Sequence, residues 1–251
     1  MRRSPQDKQV GFTLIELSIV LVVIGLIVGG IMTSQSLMHA ADLRSQVAQF
    51  TRFSSALHTF QVKYGVIPGD MTSANANTFG LPASGGNENG VLNDSSGNFP
   101  AFAVQDEPEY FFFQLYAAGL IQERCIYVVS HVVIGEQFPQ AIIGKAGITG
   151  YSNSNGKLVY YWGLYASNTL NVSNIGSISS GWGVVSSNDA SSIDGKMDDG
   201  IPNTGRVISV QAGSGRPLAG SAADLAGHNC YAGNSYNNYS YYTCQLTIEA
   251  Q

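Results

Sequence analysis

From Leu17 to Ala41 the chain runs 25 residues without a charged side chain, and no other feature limits the fold as sharply. About 20 apolar residues in a helix cross a hydrocarbon core of ~30 Å, so this segment is long enough to span a bilayer. A single carboxylate, Glu16, stands at its start. An ionised group at the edge of such a segment is costly unless a partner offsets it, which makes Glu16 a functional candidate. Charge alone leaves a second reading open, an ordinary signal anchor whose glutamate rests at the membrane interface.

The flanking residues bear on that choice. Residues 1–11 carry Arg2, Arg3 and Lys8 against Asp7, a net +2 that the positive-inside rule keeps in the cytoplasm. A secretory signal peptide places its apolar region before the cleavage site, whereas here the apolar region follows the basic leader. The stretch Gly11-Phe12-Thr13-Leu14-Ile15-Glu16-Leu17 resembles the N-terminus of type IV prepilins and type II secretion pseudopilins. The resemblance implies that a prepilin peptidase cuts after Gly11, that Phe12 becomes the first residue and is N-methylated, and that Glu16 meets the N-terminal ammonium of a neighbouring subunit. Two opposite charges in lipid offset each other's desolvation, while either alone is heavily penalised.

Four segments follow: a removable leader 1–11, a transmembrane and assembly helix 12–36, an amphipathic half 37–64 and a head 65–251. No proline interrupts 12–64, and at 1.5 Å per residue this single helix would extend roughly 80 Å, the stalk of a lollipop. Gly25, Gly29 and Gly30 weaken it by ~1 kcal/mol each relative to alanine. They also give a G-x-x-x-G that lets helices approach closely, or a place where the helix loosens. Leu43, Val47, Phe50, Phe53 or Ser54, Leu57, Phe60 and Tyr64 recur at spacings of three and four and predict a buried stripe. Arg44, Gln46, Gln49 and Arg52 are expected to face outward. Gly65 and Pro68 end the helix, and the sequence "IPGD" at Ile67–Asp70 is similar to the turn after the helix in many prepilin-like proteins. Asp70 is expected to bond within its own turn.

The head is predicted to be α+β. Residues 71–104 read as an irregular loop. A second helix opens at Asp106-Glu107-Pro108-Glu109, buries Phe111, Phe112, Leu115 and Ala118, and stops at Gly119. Its "QLYAAGLI" also resembles prepilin-like proteins. Strands are expected at Cys125–Ile134, Gln140–Ile148, Lys157–Ala166, Val207–Gln211 and Tyr241–Ile248, with Asn155-Gly156 as a hairpin turn, forming an antiparallel sheet behind the long helix.

Two features of the head carry chemistry. Ile193–Pro202 holds Asp194, Asp198 and Asp199 and is similar to a pattern found before a late strand in prepilin-like proteins, some of which hold Ca²⁺ in a head loop. Three carboxylates offer hard oxygen ligands, but the order departs from an EF-hand. The alternative is a short helix capped near Asn188 whose aspartates organise the exit turn. Cys230 and Cys244 enclose 13 residues, a loop whose closure would stabilise by ~3 kcal/mol, and they resemble the C-terminal disulfide of many type IV pilins. Cys125, among apolar neighbours, reads as a buried thiol. Tyr231, Tyr236, Tyr239, Tyr241 and Tyr242 among Asn and Ser suggest either a contact surface or a strand.

The sequence gives no sign of an enzyme. The motifs H-E-x-x-H, G-x-S-x-G, G-x-x-x-x-G-K-[ST] and G-x-G-x-x-G do not occur, and His39, His58, His131 and His228 are scattered. The whole chain carries −5, the chain without its leader −7, and residues 65–251 carry 6 Lys/Arg against 14 Asp/Glu. General nucleic-acid binding is not expected of so acidic a head. The expected function is structural: a subunit that awaits assembly in the inner membrane, head in the periplasm, and then polymerises into a pilus or secretion pseudopilus. Expected partners are the prepilin peptidase, other subunits and assembly-platform proteins, and no cofactor is required. The competing reading is an anchored or tip-located binding protein whose head recognises a surface, a secreted substrate or DNA.

Overall fold

The computed structural model describes residues 13–83, 85–92, 107–126, 134–144, 146–152, 156–164, 184–211, 229–238 and 242–250. Gly11, Phe12, the Asp106 cap, Asn155 and most of the strand expected at Cys125–Ile134 lie outside them. The chain divides into two compact units, Met1–Asp42 and Leu43–Gln251. Helix α1 (Leu14–Tyr64) is unbroken over 51 residues and contributes to both.

Within the second unit the apolar stripe of α1 does what its spacing predicts. Leu43, Phe50, Phe53, Leu57 and Phe60 are buried, and full burial of each such side chain contributes about 1.5–3 kcal/mol. Phe53 meets Phe112 edge-on at 4.9 Å between ring centroids, and Phe50 lies 5.9 Å from Trp162. The expectation for the opposite face holds for Arg44 and Arg52, which are exposed, and fails for Gln46 and Gln49, which are buried. The glutamines are buried because backbone groups need them. Gln46 Oε1 accepts the amides of Ile142 at 2.7 Å and Ile143 at 3.2 Å, its Nε2 donates to Gln49 Oε1, and Gln49 Nε2 donates to the Gln140 carbonyl. These bonds satisfy loop groups that would otherwise be buried unpaired.

Helix α1 ends as predicted. Gly65 takes φ +77° and its amide returns to the Gln61 carbonyl at 2.8 Å, a left-handed stop that favours glycine. The stretch expected to be irregular contains one short helix, α2 (Ser73–Thr78), whose N-cap Thr72 accepts the Asn75 amide. Six residues are too few for periodicity to reveal. Helix α3 (Glu107–Ala117) buries Phe111, Phe112 and Leu115 as expected.

The main sheet is antiparallel. Strand β1 (Gly147–Ser152) pairs with β2 (Leu158–Leu164), and β2 pairs with β7 (Tyr242–Glu249). Strand β7 also pairs with β3 (Val185–Ser186) and β4 (Val207–Gln211). Tyr160 and Trp162 of β2 are fully buried among the aromatic rings of α1 and α3. The expected strand Gln140–Ile148 is shifted. Gln140 forms an isolated bridge to Gly147, and Ala141 donates to the Ala146 carbonyl, so the chain reverses there and the strand starts at Gly147. Helix α4 (Ser187–Met197) follows β3, and β5 (Tyr231–Ala232) and β6 (Ser235–Tyr236) form a small separate hairpin. The architecture is α+β, a long N-terminal helix followed by a head with an antiparallel sheet, and is consistent with a pilin-like fold.

Candidate functional site

The start of α1 is organised by Thr13 and Glu16. Glu16 Oε2 accepts both the backbone amide and the hydroxyl of Thr13 at 2.8 Å, while Thr13 Oγ1 accepts the Glu16 amide at 3.3 Å. This reciprocal arrangement is a capping box and satisfies donors that a helix N-terminus leaves free. The T-x-x-E signal was present in the sequence, hidden behind the more conspicuous lone charge. Both side chains are exposed, so the carboxylate keeps lone pairs for a further donor. The proposed cleavage and methylation residues, Gly11 and Phe12, fall outside the described residues.

Beyond this cap every side chain from Leu14 to Met38 is exposed within the chain. Leu14 is 91% and Leu26 73% accessible, and aliphatic residues surround the helix on all sides. This is the only described helix long and apolar enough to cross a membrane. An all-round apolar helix needs lipid or other helices around it, because water would leave this surface unsatisfied. Nothing lies within 4 Å of a Cβ built on Gly25, Gly29 or Gly30, and Thr33 Oγ1 donates to the Gly29 carbonyl, so α1 continues through the glycines with that surface open.

In the head, the three aspartates come together as their spacing suggests: one oxygen of each of Asp194, Asp198 and Asp199 lies within 4.8 Å of the others. Helix α4 is capped by Ser186, two residues before the expected cap, and the Ser186 hydroxyl accepts the Asp189 amide. It carries Asp194 into the interior. Asp194 Oδ1 accepts the Gly200 amide and Oδ2 the Tyr236 hydroxyl at 2.7 Å; that hydroxyl lies 2.8 Å from Ser209 Oγ. Asp198 Oδ2 receives the amides of Arg206 and Val207. Asp199 receives the Ile201 amide at 2.8 Å and the Thr204 hydroxyl at 2.7 Å. Gly205, at φ +73°, presses on this cradle, since a Cβ there would sit 1.8 Å from Asp198 Oδ2.

The electrostatics follow from burial. Removal from water raises Asp194 above the ordinary aspartate range, partly countered by Tyr236 and Gly200 and reinforced by the charges of Asp199 and Asp198. Exposed Asp199 is lowered, chiefly by Thr204. The donor chemistry suits a hard cation such as Ca²⁺, and the same oxygens already serve the amides that shape the turn from Asp198 to Val207.

Cys230 and Cys244 are bonded, Cα to Cα 5.0 Å, and tie the β5–β6 hairpin to β7. Cys125 is a buried free thiol whose pKa burial pushes up to about 12, with Glu123 adding to the shift. Of the tyrosines suggested as a contact surface, Tyr236 turns inward to Asp194 and Tyr231 is half-buried. Tyr239 and Tyr241 lie outside the described residues. Asp70 does not bond within its own turn as expected: it is buried, and its Oδ2 accepts the amide of Gly90, from a loop 20 residues further along, at 2.7 Å.

Comparison with known proteins bears on the N-terminus alone. Residues 7–32 match the family model of the prokaryotic N-terminal methylation motif. The match supports a type IV prepilin- or pseudopilin-like N-terminus. No curated protein and no solved structure matches the chain.

Proposed function

We propose that this prepilin-like chain is a filament subunit, cut between Gly11 and Phe12, N-methylated on Phe12 and polymerised through the apolar part of α1 into a type IV pilus or type II secretion pseudopilus. The observation that carries the reading is the methylation motif at residues 7–32 overlapping a helix whose aliphatic surface is bare from Leu14 to Met38. Before assembly the helix is held in the inner membrane with the head in the periplasm, where oxidation of Cys230 and Cys244 is permitted. Other subunits then replace lipid around the helix, guided by assembly-platform proteins. Glu16 takes the Phe12 ammonium of a neighbour as an additional donor, which sets the axial register. Such an interface is head-to-tail and propagates into an open helical assembly.

In this reading the head works without a cofactor, its three aspartates serving the amides and hydroxyls of the turn that follows α4. The test is Glu16→Ala. Membrane insertion and processing are expected to persist while filament yield in a sheared cell-surface fraction collapses. Wild-type filament yield from that variant would overturn the pairing.

A further inference from the structure

The segment after α2 folds back over Asp70. The Glu88 amide donates to the Asp70 carbonyl at 2.9 Å, and the Gly90 amide donates to Asp70 Oδ2 at 2.7 Å. The approach is close enough that a Cβ on Gly86 would collide with the Asp70 backbone. Asp70 is 1% exposed, and its Oδ1 finds no hydrogen-bond partner among the described residues.

Two exposed asparagines of this loop each accept the amide two residues further on: Asn87 Oδ1 from Asn89 at 3.0 Å, and Asn89 Oδ1 from Val91 at 2.7 Å. They differ in the amide that lies between. After Asn89 it belongs to Gly90, at φ +81°, which has no side chain to screen its nitrogen and a carboxylate as its acceptor. After Asn87 it belongs to Glu88, which carries a side chain and donates to a carbonyl, a group too weakly basic to take a proton.

The parts needed to close an imide therefore meet at Asn89. Asp70 Oδ2 lies within the range of about 2.6–3.2 Å over which a general base takes a proton. The Val91 amide stands on the oxygen where negative charge develops as the Asn89 side-chain carbonyl is attacked. Burial raises Asp70 above the ordinary aspartate range, against the pull of the loop amides, and so strengthens its carboxylate as a base. Asn89 and Gly90 are both exposed, which lets ammonia leave and water enter.

We propose that Asn89 is a self-modification site, at which Asp70 takes the Gly90 amide proton while the Gly90 nitrogen attacks the Asn89 side-chain amide carbon. A bond forms between that nitrogen and Cγ, the bond from Cγ to Nδ2 breaks, and Nδ2 departs as ammonia with the proton that Asp70 held. Water then opens the imide to aspartate or isoaspartate; one water is consumed, one ammonia is released and nothing is oxidised or reduced. The product sets a new carboxylate beside those of Asp70 and Glu88, a negative charge gained as the molecule ages.

The test incubates the full-length chain in detergent at neutral pH, folded and with its head unfolded by guanidinium, and follows conversion of Asn87 and Asn89 by peptide mass spectrometry. A loop that merely restrains Asn89 slows the reaction relative to the unfolded chain, whereas a base at Asp70 speeds it. Conversion of Asn89 is expected to be at least about tenfold faster in the folded chain, with no such gain at Asn87. Asp70→Asn should abolish the gain; should that variant fail to fold, the folded and unfolded wild type still decide. Conversion of Asn89 no faster folded than unfolded, an equal gain at Asn87, or a folded D70N that converts as fast as the wild type would overturn the proposal.

Discussion

Asp194 shows how one buried carboxyl governs a loop. Its folded pKa is raised above 3.8, chiefly by burial, so its protonated form is favoured in the fold. The stability it contributes is complete below about pH 3.8 and is lost as pH rises through the folded value. Asp199 is shifted down, so its contribution is lost on acidification, in a window lying below that of Asp194. Asp194→Asn should therefore flatten the fall in melting temperature between pH 3.8 and neutrality, leaving the part due to Asp70, which burial also raises. Thermal melts across that range decide it; parallel curves for variant and wild type would contradict the assignment. Chelator should leave the wild-type melting temperature at neutral pH unchanged, since amides and hydroxyls hold the aspartates. A drop that Ca²⁺ restores would assign a metal instead. The three aspartates were legible as a cluster, but the burial of Asp194 was not, because Tyr236 arrives from 42 residues away.

At the scale of elements, α1 and α3 were the most legible parts of the chain, since each advertises its buried face through spacing and its end through glycine. Gln46 and Gln49 show where that reading fails: a polar residue beside an apolar stripe is assigned to solvent until the loop amides it serves are known. The strand expected at Gln140–Ile148 was displaced for a related reason, because an apolar run cannot distinguish a strand from a tight reversal. The aromatic contacts fix the stability of this layer. Phe53 is fully buried between α3 and β2, and Phe53→Ala should cost about 3–5 kcal/mol. That corresponds to a fall in melting temperature on the order of 10 °C for a domain of this size. A change within a degree or two would mean that the helix is held to the sheet by other contacts.

On the scale of the whole molecule, the polymer reading joins a bare apolar helix, a methylation motif and a head of strongly negative charge. The sequence announced the first two directly, since 25 uncharged residues after a glycine-ended basic leader leave few alternatives. The head was legible in class and not in detail, because its short elements β3, β5, β6 and α2 are set by tertiary pairing rather than by periodicity. The central claim concerns one peptide bond, and mass spectrometry of the mature chain from cells that contain the peptidase tests it most directly. The account predicts a polypeptide beginning at an N-methylated Phe12; a chain that still begins upstream of Phe12 would contradict it.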